Sequence, residues 1–506
     1  MSAAGPNWDQ GYVTDIAYLP GYYRAQSPLH LNVACLLGGV AGVEIAPGAP
    51  LSYLELGCGQ GFGALVLAAS NPAWRVTGID FNPAHIAGAR SLARAAGIDN
   101  AVFVEADLAT VAETALAAEI AEADVVSLHG LWSWVSERTR AGIVALLAAK
   151  LRPGGVVHLS YNALPAWQGA VGMQRLLREV GLRQAMRSDR QVEAGLRIVQ
   201  ELHEAKAAQL AGNPFVDGLL QHADRTPLSY RAHEYMNAAW QPCFHADVVA
   251  ALRPAKLEWV GSANLLENFR LLMLDDQARE IVGRFDDPIV CELVKDMYLR
   301  RGLRQDVFVR GARRLSEAER NARLGEVVLG LTCGETNFVW ELDVPAGRAS
   351  IGREFFGPVV AALAEGPRRV HDLLALPGLP RRDNPGELVG MLVGSEQALP
   401  LLAPPCAADG PAARLNSAAA ALYVRPDNLN SAMALATSGS GAPVPCSMLE
   451  VAVASRLSAG MSAEEMASLL LSGASEEDLQ VLGQQIERVL TERVGTWRSL
   501  GALPAE

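Results

Sequence analysis

Between residues 51 and 162 the apolar positions fall in short unbroken runs separated by longer stretches of mixed character. That rhythm predicts strands buried on both faces alternating with helices, the pattern of a parallel sheet covered on both sides. Leu51, Tyr53, Leu54 and Leu56 form the first run, which breaks into Gly57, Gly59 and Gly61 before a helix-forming stretch from Phe62 to Ser70. Glycines so close behind a strand let the chain turn sharply and approach a ligand more closely than a Cβ would permit. Arg75–Asp80 and Ala101–Asp107 read as the second and third strands, each ending in an acid. Between them lies a helix over Pro83–Ala96, with proline in its first turn and Gly97 just past its end. Asp124–His129 is the fourth strand, and Gly155–Tyr161 the fifth, entered through the turn Arg152–Gly155. The expected class is α/β, an open doubly wound sheet of the dinucleotide type.

The flanking pattern is less regular. Residues 1–50 are aromatic at the start, with Trp8, Tyr12, Tyr18, Tyr22 and Tyr23, and suit either a lid over a pocket or a helix packed on the core. Residues 164–250 read as mainly helical, ending in a helix His245–Leu252. Lys256–Gly261 and Gln305–Arg310 then supply a sixth and a seventh strand to the same sheet, leaving the helical material as insertions that roof it. Residues 350–402 predict helix, turn, helix and strand in a winged-helix-like module, and the proline-rich stretch 403–411 a linker. The tail is mostly helical, with a cap at Ser475 and Asp478 three residues on. These readings divide the chain into 1–50, 51–165, 166–311, 312–404 and 405–506.

Composition narrows the options. The 506 residues exceed one core, and about three units of ~150 residues are expected. A formal charge of -12 argues against a general nucleic-acid binder. The 7 cysteines are odd in number and form no Cys-x-x-Cys pair, which fits a reducing compartment. With no signal-like start and no run of ~18 apolar residues, the expectation is a cytoplasmic protein without a membrane segment.

The glycine loop alone leaves the ligand open, since Gly59-x-Gly61-x-x-Ala64 also suits a nicotinamide dinucleotide. An acid stands two residues ahead, however, giving Glu55-x-Gly57-x-Gly59-x-Gly61, and Asp80 and Asp107 close the next two strands. With the Arg-Pro-Gly-Gly turn before strand five, these features resemble the class I S-adenosylmethionine-dependent methyltransferases. The resemblance implies a seven-stranded Rossmann-like sheet and S-adenosyl-L-methionine as cofactor. It places Asp80 on the ribose hydroxyls and Asp107 near the adenine amine. The implied cofactor-binding set is Glu55, Gly57, Cys58, Gly59, Gly61, Asp80, Phe81, Ala106, Asp107, Leu108 and His129. The phrases His129–Trp134, Tyr161–Trp167, His233–Asn237 and Cys243–His245 are similar to those of the subgroup with a methyltransferase regulatory domain, which includes bacterial protein-lysine methyltransferases of outer-membrane proteins. A C-terminal winged-helix-like part is usual there.

Methyl transfer demands alignment of nucleophile, methyl and sulfur, and exclusion of water. His129, Leu131, Trp132, Tyr161 and Asn162 sit at the carboxyl ends of strands four and five, where the methyl group is expected, with His233 and Tyr235 in the roof. Simple packing competes for Trp132 and Trp134, and a structural hydrogen bond for His129. His222, His233, Cys243 and His245 have no tight ligand spacing, and no metal is expected. The leading expectation is a methyltransferase acting on a protein, on lysine amines, with the long tail as partner or homodimer surface. The alternatives are a small-molecule methyltransferase and a non-catalytic cofactor-binding regulator. Only Arg368, Arg369, Arg381 and Arg382 suggest nucleic acid, and a solvated face is the simpler account of them.

Overall fold

Seven strands share one sheet, and a computed structural model describing residues 8–16, 18–221, 226–380 and 384–504 gives their order. The strands are β1 (Ser52–Leu56), β2 (Arg75–Asp80), β3 (Ala101–Glu105), β4 (Ala123–Leu128), β5 (Leu151–Asn162), β6 (Leu257–Ser262) and β7 (Leu303–Arg310). They run β3-β2-β1-β4-β5-β7-β6 across the sheet. Neighbouring residues of one strand enter opposite apolar layers: Tyr53 and Leu54, Val125 and Val126, Val156 and Val157 are all at most 1% exposed. Both faces are therefore covered, which is why the runs are continuous instead of alternating.

Strands β1 to β5 are mutually parallel, whereas β7 is antiparallel to both β5 and β6. The five strands expected to be parallel are parallel, and the seventh, expected only to join the same sheet, enters it antiparallel, because a buried run specifies burial and not chain direction. The expected turn at Arg152–Gly155 is likewise a bulge within β5, between Leu151 opposite Ala123 and Val156 opposite Val125. Buried ions hold β7 in place. Arg304 is 1% exposed and donates to Asp296 at 2.8 Å, to Glu292 at 3.0 Å and to Asp306 at 3.0 Å. A cation buried that deeply is tolerable only when so surrounded.

Helix α1 (Pro28–Leu37) packs against β6, and α2 (Phe62–Ser70) and α3 (Pro83–Ala96) follow β1 and β2. All nine residues of α2 are buried, because a C-terminal helix, Gly410–Tyr423, covers its outer side. Thr437 donates its amide to Ser70 Oγ at 3.0 Å, and Asn71 donates to the Gly441 carbonyl at 2.9 Å. The stretch 403–411, expected as a linker, is bound in: Cys406 donates to Ser438 at 3.0 Å and Ala408 to Leu503 at 2.7 Å. Prolines there mark the absence of a helix or strand, not exposure.

Strands Val328–Leu331, Arg368–Arg369 and Ala398–Leu401 make a small antiparallel sheet accompanied by helices Arg353–Ala364, Val370–Leu374 and Pro385–Gly394. Arg381 and Arg382 lie outside the described residues. In the helical tail, Ser475 accepts the Asp478 amide at 3.1 Å, as its cap position predicts, and a short helix Val494–Ser499 follows the long one. Helices Val171–Gly181, Ser188–Glu204 and Leu228–Tyr235 form a further apolar cluster with Val13 of the N-terminal segment. Among the described residues no helix is long and apolar enough to cross a membrane.

Leu329, Phe355, Val389, Leu435 and the fully buried Trp497 join the same apolar cluster as α1, α2 and α3. Trp497→Ala is therefore expected to cost ~3–5 kcal/mol and to lower the melting of the cofactor-binding sheet together with the tail. Thermal unfolding with and without bound S-adenosylhomocysteine checks this; a cofactor-sensitive transition left unmoved would show that the two parts melt independently.

Candidate functional site

The loop after β1 is left-handed at Gly57 (φ 72°), Gly59 (φ 53°) and Gly61 (φ 72°). The positions serve different ends. A Cβ on Gly61 would meet Phe103 at 2.5 Å and Ala89 at 2.6 Å, so this glycine lets α3 and β3 close on the loop and does not face the cavity. A Cβ on Gly59 would meet nothing within 4 Å: this residue is the one open to a ligand. Its amide donates to Asp80 Oδ2 at 2.8 Å, tying the loop to the end of β2.

Glu55, Asp80 and Asp107 meet this cavity from the sheet, and Asp9 from the N-terminal segment. Glu55 is 6% exposed and accepts from Gln26 Nε2 at 2.7 Å through Oε1, while its buried Oε2 has no hydrogen-bond partner among the described residues. Burial pushes its carboxyl up to about 7; Gln26 and the nearby Ala64 amide draw it partly back, and Asp80 adds repulsion. Asp80 Oδ1 accepts the Asn82 amide at 2.9 Å and lies 3.4 Å from His85 Nδ1. Asp107 accepts the Ala109 amide at 2.8 Å and Gln10 Nε2 at 2.9 Å. Asp80 and Asp107 thus sit at the carboxyl ends of β2 and β3, side by side along one edge of the sheet.

Of the sequence-predicted cofactor residues, Glu55, Gly57, Cys58, Gly59, Asp80, Phe81, Asp107, Leu108 and His129 line this cavity. Gly61 and Ala106 do not: the first packs inward, and the second is held by its amide on the Asp80 carbonyl at 3.0 Å. The facing wall is the N-terminal segment, including Gln10, Tyr12, Tyr18, Tyr23 and Gln26. Tyr12 meets the Phe81 ring edge-on at 5.7 Å, and the Val13 amide donates to Asn237 at 2.8 Å. Its aromatic content was a visible signal; that Gln26 contacts Glu55 was not.

A second chamber adjoins the first. The two share Tyr12, Tyr18, Tyr23, His129, Gly130 and Trp134, and the second continues to Ser160, Asn162, Tyr230, His233, Glu234 and Tyr235. His129 stacks on Tyr23 at 3.9 Å, and burial lowers it to about 4, so the ring is neutral. Two predicted residues lie elsewhere. Tyr161 points between Ser160 and Asn162 to the other face of β5, where its hydroxyl donates to Asp306 at 2.6 Å. Trp132 faces a separate groove beneath the Arg140 guanidinium, 5.5 Å away, because one turn of 3₁₀ helix sends Trp132 and Trp134 in different directions. His245 pairs with Asp306 at 3.0 Å, also outside the chamber.

The residue missed from the sequence is Glu234, which sits inside the phrase His233–Asn237 already singled out. Asn162 Nδ2 donates to its Oε1 at 2.9 Å, and burial pushes its carboxyl up to about 7, with Asn162 and Trp240 pulling down. His222 lies outside the described residues. Among the described residues no group of three or more His, Cys, Asp or Glu stands close enough to hold a metal ion.

The site fits S-adenosylmethionine on its own terms. A buried carboxylate oxygen without a partner suits a cationic ligand, and acids at successive strand ends suit hydroxyls and an amine. Residues 54–155 match the model of a methyltransferase domain, and residues 227–310 that of a predicted methyltransferase regulatory domain. A Synechocystis protein, sll1526, is 31% identical over 366 residues, 72% of this chain and 71% of that one. A tRNA (guanine-N(7)-)-methyltransferase of Nocardia farcinica is 32% identical over 116 residues, 22% of this chain and 43% of its own. In fold, PKMT2 from Rickettsia typhi in complex with AdoHcy superimposes with a TM-score of 0.68 over 96% of this chain and 99% of that one, at 14% identity. The fold and the site define an S-adenosylmethionine-dependent methyltransferase. The chain belongs to the class I methyltransferases that carry a methyltransferase regulatory domain.

Because Glu55 is raised in the folded state, its contribution to stability is present below the ordinary value near 4.5 and is lost as pH rises through about 7. The ligand-free protein is expected to lose melting temperature as pH rises from about 4.5 to about 7, and Glu55→Gln to flatten that slope. Thermal scans of both proteins across this range check it.

Proposed function

We propose that the chain methylates a protein substrate on the amine of a lysine side chain. The observation that carries this reading is the second chamber, which opens off the cofactor cavity and is walled by Tyr12, Tyr18, Tyr23, Tyr230 and Trp134 around one carboxylate, Glu234. Such walls accommodate an alkyl chain ending in a cation or an amine. Burial also favours the neutral amine that must act as nucleophile. PKMT2 is similar in fold along nearly its whole length, including the part beyond the methyltransferase sheet.

In this reading Asp80 takes the ribose hydroxyls, Asp107 with Leu108 the adenine, and the glycine loop with Glu55 the amino-acid end and its positive charge. The cofactor, when bound, supplies a methyl group already activated on a sulfonium. The protein's part is to align and to exclude water: the N-terminal segment covers the cavity, and neutral His129, stacked on Tyr23, forms the shared wall. Neutral Cys58, raised by burial and by Asp80 and Glu55, offers no competing thiolate.

Asp80→Ala removes one charge-assisted acceptor and is expected to weaken S-adenosylmethionine binding ~10- to 100-fold, measured by calorimetry. Native affinity in that variant would overturn the ribose assignment. For the substrate, radioactive S-adenosylmethionine is incubated with the enzyme and whole-cell extract. Label is expected on protein, stable to acid and base as methylated lysine is; label confined to small molecules would favour a metabolite methyltransferase instead.

A further inference from the structure

Among the described residues the second chamber is lined by one carboxylic acid, Glu234, and by neither lysine nor arginine. Around Glu234 stand the phenols of Tyr12, Tyr18 and Tyr23 from the N-terminal segment, Tyr230, His233 and Tyr235 from its own helix, and His129 from the end of β4. The buried Arg231 of the same helix acts on Tyr235 but is not among the described residues that line the chamber. The four phenols nearest in charge, Tyr12, Tyr18, Tyr230 and Tyr235, are all raised, by burial first and by Glu234 among the further causes. They therefore stay protonated and neutral. The Glu234 carboxylate is the one acid among the described residues lining the chamber, and a cation is the ligand that would balance it.

The carboxylate is also held in place. Asn162, the last residue of β5, donates to Oε1 at 2.9 Å, with the Trp240 indole at 3.5 Å from the same oxygen. The Trp134 indole donates to the Glu234 main-chain carbonyl at 3.4 Å, fixing the helix against the shared wall of the two cavities. Only Oε1 is occupied by these contacts, leaving Oε2 for a ligand.

We propose that Glu234 binds the substrate's ammonium group in this chamber and accepts its proton before methyl transfer, with Asn162 as the residue that positions the carboxylate. The inference rests on the lysine reading above. One proton passes from the ammonium nitrogen to a Glu234 oxygen, leaving a neutral amine. Its lone pair forms the new bond to the methyl carbon while the electron pair of the broken carbon–sulfur bond stays on sulfur, so that the positive charge moves from sulfur to nitrogen. Glu234 then releases the proton to water. A carboxyl raised to about 7 by burial is matched to this exchange near neutral pH.

The test uses the full chain saturated with S-adenosylhomocysteine and n-butylammonium as the probe for a lysine side chain. Calorimetry is expected to give at least tenfold weaker butylammonium binding in Glu234→Gln, with S-adenosylhomocysteine affinity within twofold of native, since Glu234 lines only the second chamber. With a substrate identified by label transfer, kcat/KM of the native protein is expected to rise with pH through about 7. In Glu234→Gln it is expected to fall ~100-fold and to climb only toward the free lysine value near 10.4. Asn162→Ala should weaken the probe less than Glu234→Gln and shift the pH limb without abolishing it. Glu234→Asp, which keeps the charge, takes the place of Glu234→Gln if the latter does not fold, and is expected to lower kcat while keeping the limb.

Native probe affinity and an unchanged pH limb in Glu234→Gln, in an enzyme that does methylate lysine, would overturn the role of Glu234 and leave the lysine reading intact. Label on a carboxylate, thiol or small molecule would overturn the lysine reading, and this inference with it.

Discussion

The hydrogen bond from Gln26 to Glu55 is the contact on which the arrangement of the site turns. Glu55 lies in the middle of the sheet with its carboxylate buried, and such a group is costly unless it is hydrogen-bonded or neutral. Gln26 supplies half of what it needs and, in doing so, draws the N-terminal segment across the ends of the strands. The other carboxylate oxygen has no hydrogen-bond partner among the described residues. One interaction thus both closes the wall opposite the glycine loop and keeps the loop's side of the cavity negative.

From that wall the two cavities follow. Tyr12, Tyr18 and Tyr23 belong to both, so the segment that covers the first cavity also walls the second. The far side is set by β5, whose alternation sends Ser160 and Asn162 to the chamber and Tyr161 to the opposite face. There Tyr161 joins Asp306, Arg304 and Asp296, a buried network that fastens β7 antiparallel beside β5. The chamber and the ion network are therefore two faces of the same strand pair.

The C-terminal part bears on the site through packing. Helix Gly410–Tyr423 seals α2, the helix that begins at the glycine loop, and Arg24 donates to the Val393 carbonyl at 3.0 Å two residues before Gln26. Roughly two hundred residues that look remote from the chemistry along the chain thus brace both the loop and the covering segment.

Much of this was legible in the sequence. The continuous apolar runs gave the strands, because burial on both faces leaves no other pattern, and the acids at Glu55, Asp80 and Asp107 chose the cofactor, because each lies where a parallel strand ends. The phrase His233–Asn237 marked the chamber, although it drew attention to His233 and Tyr235 and not to Glu234 between them. What the sequence could not decide is direction and company. Strand β7 reads the same in either orientation, Trp132 and Trp134 are equivalent until a turn of helix separates them, and Gln26 is unremarkable until a carboxylate is placed beside it. Local pattern determines which residues are buried. Only the tertiary structure determines which buried residues face one another, and the charge on a carboxylate depends on that.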